Sequence, residues 1–143
     1  MGCFKLPFRF HKNLDSLMAN FRWGGNAQTR KTHWVAWHTL CHSKFRGGLD
    51  FRYMKAFNQA MLAKQAWRII QFPQTLVASL LKARYFPHTT FPDAGKGCRP
   101  SLVWNNISWG KELLLSGLKK KVGNGADISI HDDTWVPIQP LTP

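Results

Sequence analysis

The sequence predicts a mainly α-helical domain of about four helices with a C-terminal β-hairpin. Three observations carry that prediction. Apolar residues recur at helical spacing in four separate segments. Pro73, Pro87 and Pro100 fall at the ends of those segments. Near the C-terminus, Gly123-Asn124-Gly125 precedes an alternating stretch with Ile128 and Ile130, the pattern of a tight hairpin. The chain has 143 residues, 44% of them hydrophobic, enough for a single domain over 1–136 with a core of its own. The proline-rich tail, 137–143, is expected to be disordered.

Residues 1–7 read as a leader, with Pro7 at a helix start. From Phe8 to Trp23, Phe10, Leu14, Leu17, Met18 and Phe21 lie on one helical face, and Gly24-Gly25 ends the helix. Residues 31–41 are too short to assign by periodicity; a turn or short strand running into a brief helix near Trp37–Cys41 is expected. Gly47-Gly48 closes a basic loop. The longest helix should run from about Arg52 to Gln71, stopped by Pro73. Its wide apolar surface includes Met54, Phe57, Met61, Leu62, Ile69 and Ile70. A second helix from Thr75, a candidate N-cap, to Tyr85 should pack antiparallel to it across the short FPQT link. Residues 86–100, with three prolines and two glycines, read as a long surface excursion. Ser101 is the expected N-cap of a last helix over 102–116 with Gly117 at its end. Trp34, Trp37, Trp67, Trp104 and Trp135 are expected to be buried.

Charge narrows the function classes. Lys and Arg number 20 against 7 acids, a net charge of +13. Such a balance repels itself in a compact chain and is relieved by a polyanion, so RNA or DNA, bound without sequence preference, is the partner to expect. The candidate contacts are Lys44, Arg46, Arg52 and Lys55 around the glycine pair, Lys64 and Arg68 further along the long helix, and Lys119, Lys120 and Lys121 leading into the hairpin. A solvated basic face is the competing reading of the same residues. Three dispersed cysteines argue against a disulfide framework and for a reducing compartment. No apolar run is long enough to span a membrane, and the basic N-terminus reads as a folded amphipathic helix in preference to a transit peptide. Nucleus or mitochondrion is expected over secretion.

Catalytic chemistry finds little support. Asp132-Asp133 are the only adjacent carboxylates, and neighbours on a strand point to opposite faces. His38 and His42 stand one helical turn apart around Cys41, but no second ligand pair follows at zinc-finger spacing. Surface histidines beside a half-buried Cys41 are the preferred reading. Nucleophile-elbow, P-loop and dinucleotide motifs are missing. No catalytic residue, metal or cofactor is expected.

Four blocks carry a resemblance: LDSLMANFRWGG at 14–25, KTHWVAWHTLC at 31–41, GGLDFRYMKAFNQAMLAKQAWRII at 47–70, and PSLVWNNISWGKELLLSGLKKKVGNGADISIHDDTWVP at 100–137. Over roughly residues 6–137 the chain resembles a segment of plant LINE-type (non-LTR) retrotransposon reverse transcriptases, proteins often labelled ribonuclease H. The resemblance implies a thumb or connection-like domain between the polymerase palm and the zinc-binding and RNase H regions. It carries over a scaffold, Gly47, Gly48, Leu49, Trp104, Gly123, Gly125, Asp133 and Trp135, and no catalytic position, since the paired-aspartate polymerase motif is not in these residues. The chain departs from the pattern at Asp50, where a glycine is usual, and at His131, where a tryptophan is. The expected function is a non-catalytic reverse-transcriptase fragment with sequence-independent nucleic-acid affinity. The alternatives are a decayed product without function, or part of an RNA-directed DNA polymerase active only with its missing regions. Other segments of the retroelement polyprotein are further expected partners, and they would cover the apolar surface around Phe57, Met61 and Leu62.

Overall fold

The computed structural model describes residues 2, 4–25, 31–119 and 122–124. Its elements are α1 (Phe8–Arg22), α2 (Trp37–Leu40), a 3-10 turn (Lys44–Arg46), α3 (Met54–Gln71), α4 (Leu76–Tyr85) and α5 (Leu102–Gly117). The four long helices are those the periodicity predicts. Among the described residues there is no strand. Residues 122–124 include a bend, and the rest of the expected hairpin, with Asp133, Trp135 and the 137–143 tail, lies outside the described residues.

The organising contact is α3 against α5. Gly110 makes it close. A methyl group at that position would overlap the Leu62–Ala63 peptide of α3, so only hydrogen lets the two backbones approach this far. Gln59 on α3 donates from Nε2 to the Trp109 carbonyl at 3.2 Å across the same crossing. Ala63 and Ala66 are likewise buried, small residues on the inner face of α3.

Trp104 is the centre of the core. It is fully buried, and its ring stacks on Tyr85 at 4.6 Å and Phe86 at 5.7 Å, with Phe91 edge-on at 6.0 Å. Its indole N–H donates to the Gly95 carbonyl at 3.2 Å. Ile69, Ala78, Leu81 and Ile107 complete the cluster. α5 starts as expected: the Ser101 hydroxyl accepts from the Trp104 amide at 3.2 Å. Thr75 occupies the N-cap position of α4, but its hydroxyl turns back to donate to the Phe72 carbonyl at 3.0 Å and caps nothing.

Residues 86–100 correct the surface-excursion expectation. Phe86, Phe91 and Ala94 are buried and wall the Trp104 cluster. Prolines and glycines rule out regular structure here, and burial comes instead from aromatic side chains facing inward. The backbone carbonyls this costs are met by Lys111, whose Nζ donates to Phe91 O at 3.4 Å, Pro92 O at 3.0 Å and Ala94 O at 2.6 Å.

The N-terminal region attaches differently. Asn58 of α3, fully buried, accepts from the Leu6 amide through Oδ1 at 2.9 Å and donates from Nδ2 to the Phe4 carbonyl at 3.0 Å. The side-chain amide thus clasps the leader as a neighbouring strand would. α1 ends in a Schellman arrangement: Gly24, at φ 67°, donates to Phe21 O and Gly25 donates to Asn20 O. Its buried positions are His11 and Ala19, while Phe10, Leu17 and Phe21 are exposed, Phe21 at 86%. The periodicity finds the helix and its apolar stripe, but the stripe is not the face that packs.

Two further expectations are corrected. Trp104 is buried and Trp37 half-buried, yet Trp34 is 80% exposed and Trp67 41%. Trp34 lies in a segment without regular structure, and Trp67, one turn after Ala63, stands at the edge of the packed face of α3, so each is only partly covered. Leu62 is fully buried against α5, so it is not part of an uncovered surface, whereas Phe57 and Met61 remain partly accessible.

Candidate nucleic-acid interface

The sequence around Gly47-Gly48 folds into a compact turn. Gly47 takes φ 78°, and a Cβ on Gly48 would strike the His42 backbone. The amides of Leu49 and Phe51 donate to the Leu40 carbonyl, and that of Asp50 to His42 O. This pins the chain entering α3 to the end of α2. Asp50 is held at φ 56°, the left-handed region that favours glycine.

That turn displays Lys44 and Arg46, both exposed. Arg52 follows and lies over the Phe57 ring at 5.0 Å. Along α3, Phe57, Met61, Lys64 and Arg68 succeed one another at spacings of four, three and four, which places them on one stripe opposite the α5 contact. Arg52, Lys64 and Arg68 thereby border one outer surface, about 16 Å from Phe57 to Arg68. Lys55 points elsewhere, about half a turn round the helix from Lys64, toward the leader. Lys119 is exposed just past the end of α5. Lys120 and Lys121 lie outside the described residues. The nine sequence candidates therefore do not form one patch; Lys64 and Arg68 share the α3 stripe with Arg52 over Phe57 at its head, Lys44 and Arg46 stand on the glycine turn beside it, and Lys55 and Lys119 stand apart.

Among the described residues, none of these candidates has a carboxylate partner. The one ion pair among the described residues is Lys96–Glu112 at 3.4 Å, both largely exposed. No other described carboxylate pairs with a cation, so within the described residues the field of these cations is not cancelled locally. Basic residues outside the expected set add to it. Arg22 lies over Trp23 at 5.5 Å and Arg84 over Tyr85 at 5.6 Å. Only their place on helix surfaces would have marked them, and the sequence holds too many similar residues to single them out.

The histidine–cysteine spacing does not assemble a metal site. His38 and His42 are exposed, Cys41 is half-buried, and among the described residues no three metal-ligating side chains cluster. Burial, and then the Asp15 carboxylate, push the Cys41 thiol up from its ordinary value, which disfavours the reactive thiolate. Cys98 is exposed and free. No described helix is long and apolar enough to cross a membrane.

No family model matches the chain, and no solved structure does. Two curated relatives do, both from Arabidopsis thaliana. One, named an uncharacterized mitochondrial protein, is 44% identical over 146 residues that cover 99% of this chain and 95% of the relative. The other, named "Putative ribonuclease H protein", is 31% identical over 146 residues covering 99% of this chain. This chain spans only 23% of that longer relative. Near-complete mutual coverage with the first, at that identity, means that the chain belongs to the same family as the Arabidopsis mitochondrial protein.

Proposed function

We propose that this domain is a non-catalytic scaffold derived from a LINE-type reverse transcriptase, and that it holds RNA or DNA by sequence-independent neutralisation of phosphates. The observation that carries the reading is the set of exposed cations Lys44, Arg46, Arg52, Lys55, Lys64 and Arg68, none with a carboxylate partner among the described residues, in a chain of net charge +13. The relative named for ribonuclease H, of which this chain matches about a quarter, supports the retroelement origin. The mitochondrial name of the other relative supports action in an organelle or in the nucleus in preference to secretion. The partly accessible Phe57 and Met61, on the same stripe as Lys64 and Arg68, suit contact with further polyprotein segments or with the bases of an unpaired strand.

Filter binding to single-stranded and hybrid oligonucleotides at about 50 and about 200 mM salt tests the reading. Micromolar binding at low salt with steep weakening at high salt is expected. Absence of binding at low salt, or affinity indifferent to salt, overturns it. Replacing Lys64 and Arg68 by Gln together should weaken all sequences alike and reduce the salt slope by about two. Primer extension with Mg²⁺ should yield no product, and any product would refute the non-catalytic assignment.

Asp50 favours a second reading, decay without function. The backbone there takes the left-handed conformation that glycine favours, at a position where the resembled reverse-transcriptase pattern carries glycine. Steady accumulation of the protein in tissue would count against decay.

A further inference from the structure

A second basic feature lies away from the α3 stripe, at the start of α1. A cavity of about 240 Å³ opens there, lined by Lys5, Leu6, Phe8, His11, Lys55 and Trp109. No acid lines it. The first turn of α1 contains no acidic residue and no side chain caps it, so the positive end of the helix dipole is unopposed at this mouth. A second, independent observation points to a ligand. His11 forms part of the cavity wall and is 97% buried (3% exposed), and neither of its ring nitrogens has a hydrogen-bond partner. An imidazole buried without partners is costly, and its bonding is completed by a water or by a ligand group. A half-turn about χ2, a torsion with two nearly equivalent orientations, exchanges the nitrogens for the carbons opposite them, so either edge of the ring can be presented.

The lysines are positioned as well. Asn58 bonds the backbone on both sides of Lys5, at Phe4 and at Leu6, and the Lys5 ammonium rests 4.6 Å from the centroid of the Trp109 ring. Lys55 reaches the same space from the first turn of α3.

We propose that this cavity binds a terminal phosphate monoester, the group carried by a 5′-nucleotide or by the 5′ end of a nucleic-acid strand. Lys5 and Lys55 supply charge, His11 an N–H donor, and the α1 N-terminus backbone amides. The strand-end form rests on the nucleic-acid reading above; the free-phosphate form does not. The cavity volume exceeds the roughly 30 Å³ share of one water several times over, leaving room for the group the phosphate is attached to.

Two arms test it. Fluorescence polarisation compares one oligonucleotide bearing a 5′-phosphate with the same oligonucleotide bearing a 5′-hydroxyl. The phosphorylated strand should bind about tenfold tighter, and Lys5→Gln or His11→Gln should each remove most of that preference. Lys64→Gln should weaken both strands alike. In the second arm, the His11 ring resonances are followed by NMR on addition of inorganic phosphate and, separately, of adenosine 5′-monophosphate, against chloride at matched ionic strength. Saturable shifts that Lys5→Gln abolishes are expected. Binding of both strands with equal affinity overturns the strand-end form while sparing the general basic surface. If neither strand binds, the basic-surface reading fails and the NMR arm decides the cavity. His11 resonances indifferent to both phosphate ligands overturn the site altogether. Because His11→Gln could unsettle α1, Lys5→Gln, at an exposed position, serves as the variant whose fold is not in question.

Discussion

Replacing Lys111 by Met is expected to cost about 1–3 kcal/mol, because the carbonyls of Phe91, Pro92 and Ala94 lose their shared donor while the aliphatic stem is kept. Thermal unfolding would read the loss. The pH dependence has a definite sign. Burial pushes the Lys111 ammonium below its ordinary 10.5, with Asp93 and Glu112 pulling the other way. Between the lowered native value and 10.5 the unfolded chain binds more protons than the folded one, so this residue's contribution to stability rises with pH. The deficit of Lys111→Met should therefore widen as the pH is raised through that window. Asp50 offers the opposite kind of test. It sits at φ 56° and its carboxylate has no hydrogen bond among the described residues, so Asp50→Gly relieves strain. A gain of a few tenths to about 1 kcal/mol is expected in chemical denaturation, the larger freedom of unfolded glycine offsetting part of the relief.

Among the elements, the α3–α5 crossing is the one least tolerant of change. Gly110→Ala places a methyl into the Leu62–Ala63 peptide and should destabilise by about 1–3 kcal/mol or more, read as a lowered denaturation midpoint at unchanged slope. This contact also marks the limit of the sequence. Four long helices, the Ser101 cap and the glycine turn were legible because local chemistry specifies them: spacing, a hydroxyl before an apolar run, and backbone angles few residues accept. The role of Gly110 was not legible, since a glycine inside a helical pattern lowers helix propensity and gives no sign of a neighbour. The aromatic loop at 86–100 failed for the same reason. Its composition excludes regular structure correctly, but whether Phe86 and Phe91 turn inward depends on Trp104, a residue 13 to 18 positions away. The candidate interface was half legible. Residue type picked out Lys64 and Arg68 and periodicity put them on one stripe, whereas Lys5 and His11 meet Lys55 only through the leader's attachment to Asn58.

For the whole molecule, a net charge of +13 with a single ion pair among the described residues means that the folded state carries unrelieved self-repulsion. Salt should stabilise it. Raising the ionic strength from about 0.01 to about 0.15 M shortens the screening length from about 30 to about 8 Å. An increase of about 4 °C in Tm, equivalent to ~1 kcal/mol for a domain of this size, is expected. A polyanion such as heparin should do the same at far lower concentration if it binds the folded state preferentially. A Tm indifferent to both would mean that the cations are too dispersed to repel one another measurably.

The Asn58 clasp bears on the order in which the molecule comes into being. Its two bonds join residues 52 and 54 positions apart, Leu6 and Phe4 with Asn58, so closing them costs the entropy of a long loop. On the ribosome, at about 10 residues per second, Leu6 waits roughly five seconds before Asn58 is even made. Only then can Lys5 be fixed beside Trp109, which is translated later still. The segment around Leu6 is therefore made before its partner and committed only after it, and any factor that meets the nascent chain in that interval finds that segment free.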